Sequence, residues 1–196
     1  MKLPKAAHTS RPWRVHEIAG DFRVEDVWAL PTPGSRDDFP RLVRWLATRD
    51  HSVRSSGSAA VRALWAVRLK AGQVLGWDSP AAGVGSRVAT LRGRLPPDLR
   101  GAEAGPAFRV RTRSPLYLLD DEFAAEIANR TMHGVLHVGW VPDGAGGYCG
   151  ELAVLVKPNG LLGACYMAAI RPFRRLIVYP VTIREIERSW GRLSAG

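Results

Sequence analysis

Between Leu161 and Trp190 the apolar residues Leu162, Tyr166, Ala169, Ile170, Phe173, Leu176, Ile177, Val181, Ile183, Ile186 and Trp190 recur mostly at steps of three and four. That spacing lines one side of a helix. A tight turn at Pro158-Asn159-Gly160 precedes the run, and Pro172 and Pro180 are expected to bend or restart it, since each removes a backbone donor. Upstream, Thr131 to Val141 and Tyr148 to Lys157 read as a strand pair. In the first strand Met132, Gly134, Leu136, Val138 and Trp140 share one face, while Thr131, His133, Val135, His137 and Gly139 share the other. Both faces are substantially apolar, so this strand is expected to be covered on both sides or to border a cavity. The pattern predicts a helix laid across a curved sheet, enclosing a space.

Arg14 to Ile18 and Phe22 to Leu30 read as extended, and Pro31 and Pro33 end that piece. Asp37 and Asp38 sit where helix caps belong, ahead of a first helix through Leu42, Val43, Trp45 and Leu46. His51 to Ser58 reads as a loop, and Ala59 to Leu75 as a second helix closed by Gly76. Val88 to Arg100 is assigned a short helix broken at Pro96-Pro97, followed by a connector from Gly101 to Pro106. Further strands are expected at Phe108 to Arg113, Pro115 to Leu119 and Phe123 to Asn129, although Ala-Ala-Glu-Ile-Ala in the last also suits a helix. Asp120-Asp121-Glu122 and Pro142 to Gly147 are turn signals. At 196 residues the chain fits one domain, with residues 1–13 expected as a flexible lead.

The order is one strand, two helices, a run of antiparallel strands and a long final helix. It resembles the helix-grip fold of START-like and birch-pollen-allergen-like proteins, an α+β class in which an antiparallel sheet wraps around a long C-terminal helix. Two helices follow the first strand. Lys157-Pro158-Asn159-Gly160-Leu161-Leu162-Gly163, followed by Tyr166-Met167, Pro172-Phe173-Arg174 and Leu176-Ile177-Val178, resembles the C-terminal signature of a bacterial family catalogued as a domain of unknown function, number 2867. Asp26-Val27-Trp28-Ala29-Leu30-Pro31 is similar to that family's first strand. The resemblance implies a helix-grip scaffold. Helix-grip proteins bind lipids, sterols, polyketides or hormones under the last helix, or cyclise such compounds. No catalytic residue is carried over.

His133 and His137 are the most suggestive side chains. Four-residue spacing on a helix would bring both imidazoles to one metal, whereas on a strand it separates them by roughly 13 Å. The strand reading therefore calls for no metal. The candidate catalytic pair is His133 with Glu126, an acid and a base of the kind a cyclase or hydratase uses. The structural alternative pairs Glu126 with Arg130 while Asn129 turns the chain. Glu151 is a second candidate carboxylate, and His137, Tyr117, Trp140, Tyr166, Ile170 and Phe173 are candidate ligand contacts. Cys149 and Cys165 form no zinc or CxxC pattern and read as reduced, packed thiols. Gly83-Val84-Gly85 lacks the preceding strand and third glycine of a dinucleotide fingerprint, so no cofactor is expected.

A formal charge of +10 raises nucleic acid or anionic membrane as partners. Arg171, Arg174 and Arg175, at positions that can share a helical face, are candidates to hold an anionic ligand group at the pocket mouth or to rest on an acidic membrane, with a solvated face as the favoured alternative. Of the 28 basic residues, however, only Lys2, Lys5, Lys70 and Lys157 are lysines, and the arginines are spread along the chain. That distribution favours a solvated surface. The N-terminus has no apolar signal-peptide core and no stretch reaches membrane-spanning length, so a cytoplasmic location is expected. The leading expectation is a small hydrophobic or amphipathic ligand held between sheet and final helix. An acid–base enzyme acting in the same pocket and a basic binding surface are the alternatives.

Overall fold

The structure is a computed structural model that describes residues 1–48, 83–86, 88–108 and 113–194, with Ala66 and Lys70. The loop and second helix expected from His51 to Leu75 lie outside the described residues, apart from Ala66 and Lys70, both helical. Most of the strand expected at Phe108 to Arg113 lies outside them too.

Six strands form one antiparallel sheet: β1 (Lys2–Leu3), β2 (Arg23–Ala29), β3 (Arg113–Leu118), β4 (Glu122–Ala128), β5 (Met132–Pro142) and β6 (Tyr148–Pro158). Their spatial order is β1-β2-β6-β5-β4-β3. β3 to β6 form a meander joined by short turns, and β2 returns to pair with β6. The turn chemistry is local. Asp143 accepts from the amides of Ala145 and Gly147, and Asn129 accepts from those of Thr131 and Met132. The ambiguous stretch at Phe123 to Asn129 is a strand, because its neighbours β3 and β5 satisfy its backbone on both sides.

The N-terminal expectations need correction. Residues 1–13 are a packed part of the domain: β1 extends the sheet, α1 (Lys5–Thr9) buries His8, and Trp13 is buried. The stretch expected as extended from Arg14 to Ile18 contains a helical turn, α2 (Val15–Ile18), whose Val15 and Ile18 enter the core. Together with a 3-10 turn (Leu91–Arg94) and α4 (Pro97–Arg100), these segments cover one face of the sheet. That face carries Val135, Ala124, Ala153 and Leu155. Trp13 lies so close to β5 that a Cβ built on Gly139 would stand 2.6 Å from its ring.

The opposite face carries Phe123, Ala125, Val138 and Trp140 and meets α3 (Phe39–Thr48) and the C-terminal helix. The cap of α3 begins earlier than Asp37: Ser35 and Asp38 form a reciprocal capping box at a 3-10 turn (Arg36–Asp38). The C-terminal helix comprises α5 (Gly160–Phe173), a π-helical segment (Arg174–Val178) and α6 (Tyr179–Ser194). Pro172 and Pro180 flank the widened segment, where a proline's missing donor is most easily accommodated.

The helix is fixed at its start by the turn expected at Pro158-Asn159-Gly160. The Asn159 amide donates to Thr131 O at 2.9 Å, and its side chain donates to Asn129 O at 2.9 Å. Gly163 then passes directly over Thr131. A Cβ at Gly163 would lie 2.1 Å from the Thr131 carbonyl oxygen, so Gly163→Ala must displace either the helix start or the β4–β5 turn. The expected loss is about 2 kcal/mol, typical of overpacking against backbone, read as a lower urea midpoint without loss of helical circular dichroism.

Candidate functional site

Strand alternation puts Glu122 and Glu126 of β4, His133 and His137 of β5 and Glu151 of β6 on the face covered by the N-terminal segments. All five side chains are buried. Each carboxylate meets one imidazole. His137 Nε2 donates to Glu122 at 2.9 Å, His133 Nε2 donates to Glu126 at 3.1 Å, and His8 Nδ1 of α1 donates to Glu151 at 3.2 Å. Two of them also seize covering backbone. Glu122 accepts the Arg14 amide at 2.9 Å and the Tyr117 hydroxyl at 3.0 Å; Glu126 accepts the Leu91 amide at 3.0 Å and the Thr90 hydroxyl. The imidazoles are packed in turn: His137 lies 4.9 Å from His8 and 5.1 Å from Trp13, ring centre to ring centre, and Phe22 lies 5.1 Å from His133.

The electrostatics follow from burial and these bonds. Burial pushes Glu122 up, but the bonds from His137, the Arg14 amide and Tyr117 outweigh it and hold the carboxyl below its ordinary range. Burial also pushes Glu126 up, and there His133, the Leu91 amide and Thr90 win in the same way. Burial lowers His137 despite its contact with Glu122, so it is a neutral imidazole donating from Nε2. Burial and the adjacent carboxylate push the Tyr117 phenol far up, leaving it a pure donor to Glu122.

The sheet divides the candidate residues into two sets. His133, His137, Glu126, Glu151 and Tyr117 belong to this buried layer. Glu126 pairs with His133 and not with Arg130, whose neighbour Asn129 does turn the chain. Trp140 faces the other way, where its indole donates to Ser35 O at 3.0 Å and packs against Phe39 and Tyr148. Tyr166, Ile170 and Phe173 lie on α5. The catalytic candidates and the final helix are thus on opposite sides of the sheet. His133 and His137 lie on a strand, and among the described residues no group of three or more His, Cys, Asp or Glu could hold a metal ion.

The C-terminal helix packs over the other face of the sheet. The helix is anchored at its far end by Ile186 and Trp190, whose indole donates to Pro33 O at 3.0 Å, and at its middle by Arg174 and Arg175, which bond Asp26 of β2 at 3.0 and 2.9 Å. Leu136, Leu152 and Val154 on the sheet, and Tyr166, Ile170 and Phe173 on α5 ahead of the middle anchor, are half-buried, whereas Met167 of α5 is buried. Cys165 is exposed and Cys149 half-buried, and burial raises the latter's thiol. No described helix is long and apolar enough to cross a membrane.

Several key groups escaped the sequence reading. Glu122 was assigned to a turn, though its two-residue step to Ala124 and Glu126 is the signal that places it on the same strand face. His8 sits in the segment expected to be flexible, and its pairing with Glu151 spans 143 residues, beyond any local pattern. Asp26 looked like part of an ordinary strand.

Two outcomes are expected. Glu126→Ala strands His133 and releases Thr90 and Leu91; it should cost about 3 kcal/mol in denaturant unfolding, the scale for removing one partner of a buried pair. Stability should also fall with acid in two stages. The neutral His137 gives a first decline below about pH 6.5, where the unfolded chain binds a proton that the folded chain refuses. The depressed Glu122 and Glu126 give a second, beginning near about pH 4.3, because their contribution is complete above the unfolded-state pKa and lost as pH falls through the folded one. In urea titrations across pH, His137→Gln should make the first decline shallower.

Neither a curated protein nor a solved structure matches the chain. The profile of one family matches residues 18–181, which run from the end of α2 through β2 to β6 and α5 into the first turn of α6. The chain belongs to the family described as Protein of unknown function (DUF2867).

Proposed function

We propose that this chain is a helix-grip protein that binds a small hydrophobic or amphipathic molecule between its sheet and its C-terminal helix. Two features support the helix-grip reading. The first long strand, β2, pairs with the last, β6, and the final helix packs on one face of the resulting sheet. The binding reading rests on one observation: apolar residues on the helix-covered face of the sheet, Leu136, Leu152 and Val154, and on α5, Tyr166, Ile170 and Phe173, are left half-buried while the far end of the helix is firmly seated by Ile186 and Trp190. Well-packed layers bury such side chains against each other, at about 25 cal/mol per Å² of apolar area removed from water. A bound apolar molecule completes that burial. The helix, pinned at Arg174 and Arg175 and widened over the π segment, serves as its lid.

The buried layer supports this function as a rigid floor. His133 and Glu126 are spent on holding the covering segments, and they face away from the helix.

Native mass spectrometry of the purified protein, followed by denaturing extraction, is expected to yield an apolar or amphipathic passenger. Leu136→Trp, which fills the space between the layers from the sheet side, should abolish the passenger while thermal stability is kept or raised. A protein that carries no passenger and takes up no added apolar probe would overturn the proposal.

A further inference from the structure

Where β2 passes the middle of the C-terminal helix, polar groups collect in an otherwise apolar interface. Asp26, fully buried, accepts from Arg174 Nη2 at 3.0 Å and from Arg175 Nε at 2.9 Å. Glu25 lies 3.4 Å from Arg171 and 3.6 Å from Arg174. Three guanidinium groups thus meet two carboxylates, a net charge of one positive, with Arg171 the most exposed of the three. Next to it stands Trp28, on the same face of β2 as Asp26 and 5.1 Å from the Tyr179 ring. Burial pushes the Tyr179 phenol up to about 12, so it stays protonated and able to donate.

Two donors of this cluster are unspent, beside one acceptor without a hydrogen bond, Glu25 Oε2, which has only the ion pairs with Arg171 and Arg174. Trp28 Nε1 and Arg174 Nε are both buried, and neither has a hydrogen-bond partner among the described residues. A buried N–H without an acceptor costs the full desolvation penalty of the group, and here two such N–H groups accompany a surplus positive charge. The complement of that arrangement is an anionic oxygen acceptor. Val154 and Leu152, the half-buried wall of the binding space, pair directly with Asp26 and Trp28 across the sheet. The polar cluster is therefore one end of the apolar compartment.

Resting on the proposal of a ligand space between sheet and helix, the geometry points to an amphipathic ligand with an anionic head group, a carboxylate or its equivalent. The head binds at Trp28, Arg171, Arg174 and Tyr179, and the apolar body runs over Leu152 and Val154. Arg175 and the remaining bond of Arg174 keep the helix on Asp26 while the head group takes the unspent donors. The ligand is thus selected twice, by an apolar body that the half-buried walls desolvate and by one negative charge at the β2 end.

The uncharged fluorophore N-phenyl-1-naphthylamine reports on the apolar compartment, and its displacement by dodecanoate or by 1-dodecanol compares two ligands that differ only at the head. Dodecanoate is expected to displace it at roughly tenfold lower concentration, the effect of about one charge-assisted hydrogen bond. Arg171→Gln removes the surplus charge without touching the Asp26 bonds, and Trp28→Phe removes one donor while keeping a ring. A fall of the preference towards unity in either variant, with fluorophore binding retained, places the head group at this cluster. Arg44→Gln, an equal loss of charge on the exposed side of α3, should leave the preference unchanged. If the fluorophore binds but both competitors displace it equally, the anionic subsite is overturned and the apolar compartment stands. A preference that survives both substitutions, or that falls equally in Arg44→Gln, also overturns the subsite. If the fluorophore does not bind, the compartment and the subsite fall together.

Discussion

Three carboxylates buried on one face of a sheet impose the constraint on which the rest of this fold depends. An ionised Glu inside a protein is tolerated only when its oxygens are satisfied, and Glu122, Glu126 and Glu151 draw their partners from distant parts of the chain. Glu151 takes the imidazole of α1, Glu122 takes the Arg14 amide, and Glu126 takes Thr90 and Leu91. The covering segments are very short, with helices of four or five residues that could not persist alone. Their positions come from these carboxylates and from the apolar residues around them, including Trp13, Val15, Ile18 and Leu91.

On the other face the buried carboxylate of Asp26, with Glu25 beside it, does comparable work for the C-terminal helix. The two faces differ in completeness. The first is closed, with side chains such as Val135, Ala124 and Ala153 out of contact with water. The second is closed where α3 and the end of α6 pack, through Phe39, Leu42, Ile186 and Trp190, and its side chains are mostly half-buried along the middle of the helix. Under the proposed binding function, a rigid sheet braced from behind and a helix held at separate points would let a guest enter by small movements of the helix, without disturbing the core. The π-helical turn lies in that middle span, where backbone bonding is weakest.

Much of this was legible along the chain. The period of two in Thr131 to Val141 and Tyr148 to Lys157, and the turn residues between the strands, located the meander to within a residue or two at each end. The three- and four-residue steps after Gly160 located the final helix, whereas the pairing of Glu126 with His133 was one of two readings, the other setting Glu126 against Arg130. What was missed lies in the first 22 residues, where short helices carry too few periods to be recognised, and in the assignment of the two faces. The histidines were expected under the final helix, but alternation says only that His133 and His137 share a face with each other and not with Trp140.

The sequence by itself determined the local structure: strand period, helix period, turn positions and family membership are all written in residues close together in the chain. Only the tertiary structure decided which face each element covers. It also paired His8 with Glu151 and Arg174 with Asp26, across separations of 143 and 148 residues. The physical reason is that periodicity fixes which side chains point the same way, whereas the partner on that side is selected by the need to satisfy buried charge and fill apolar volume at once. Both requirements act through space and leave no spacing to read.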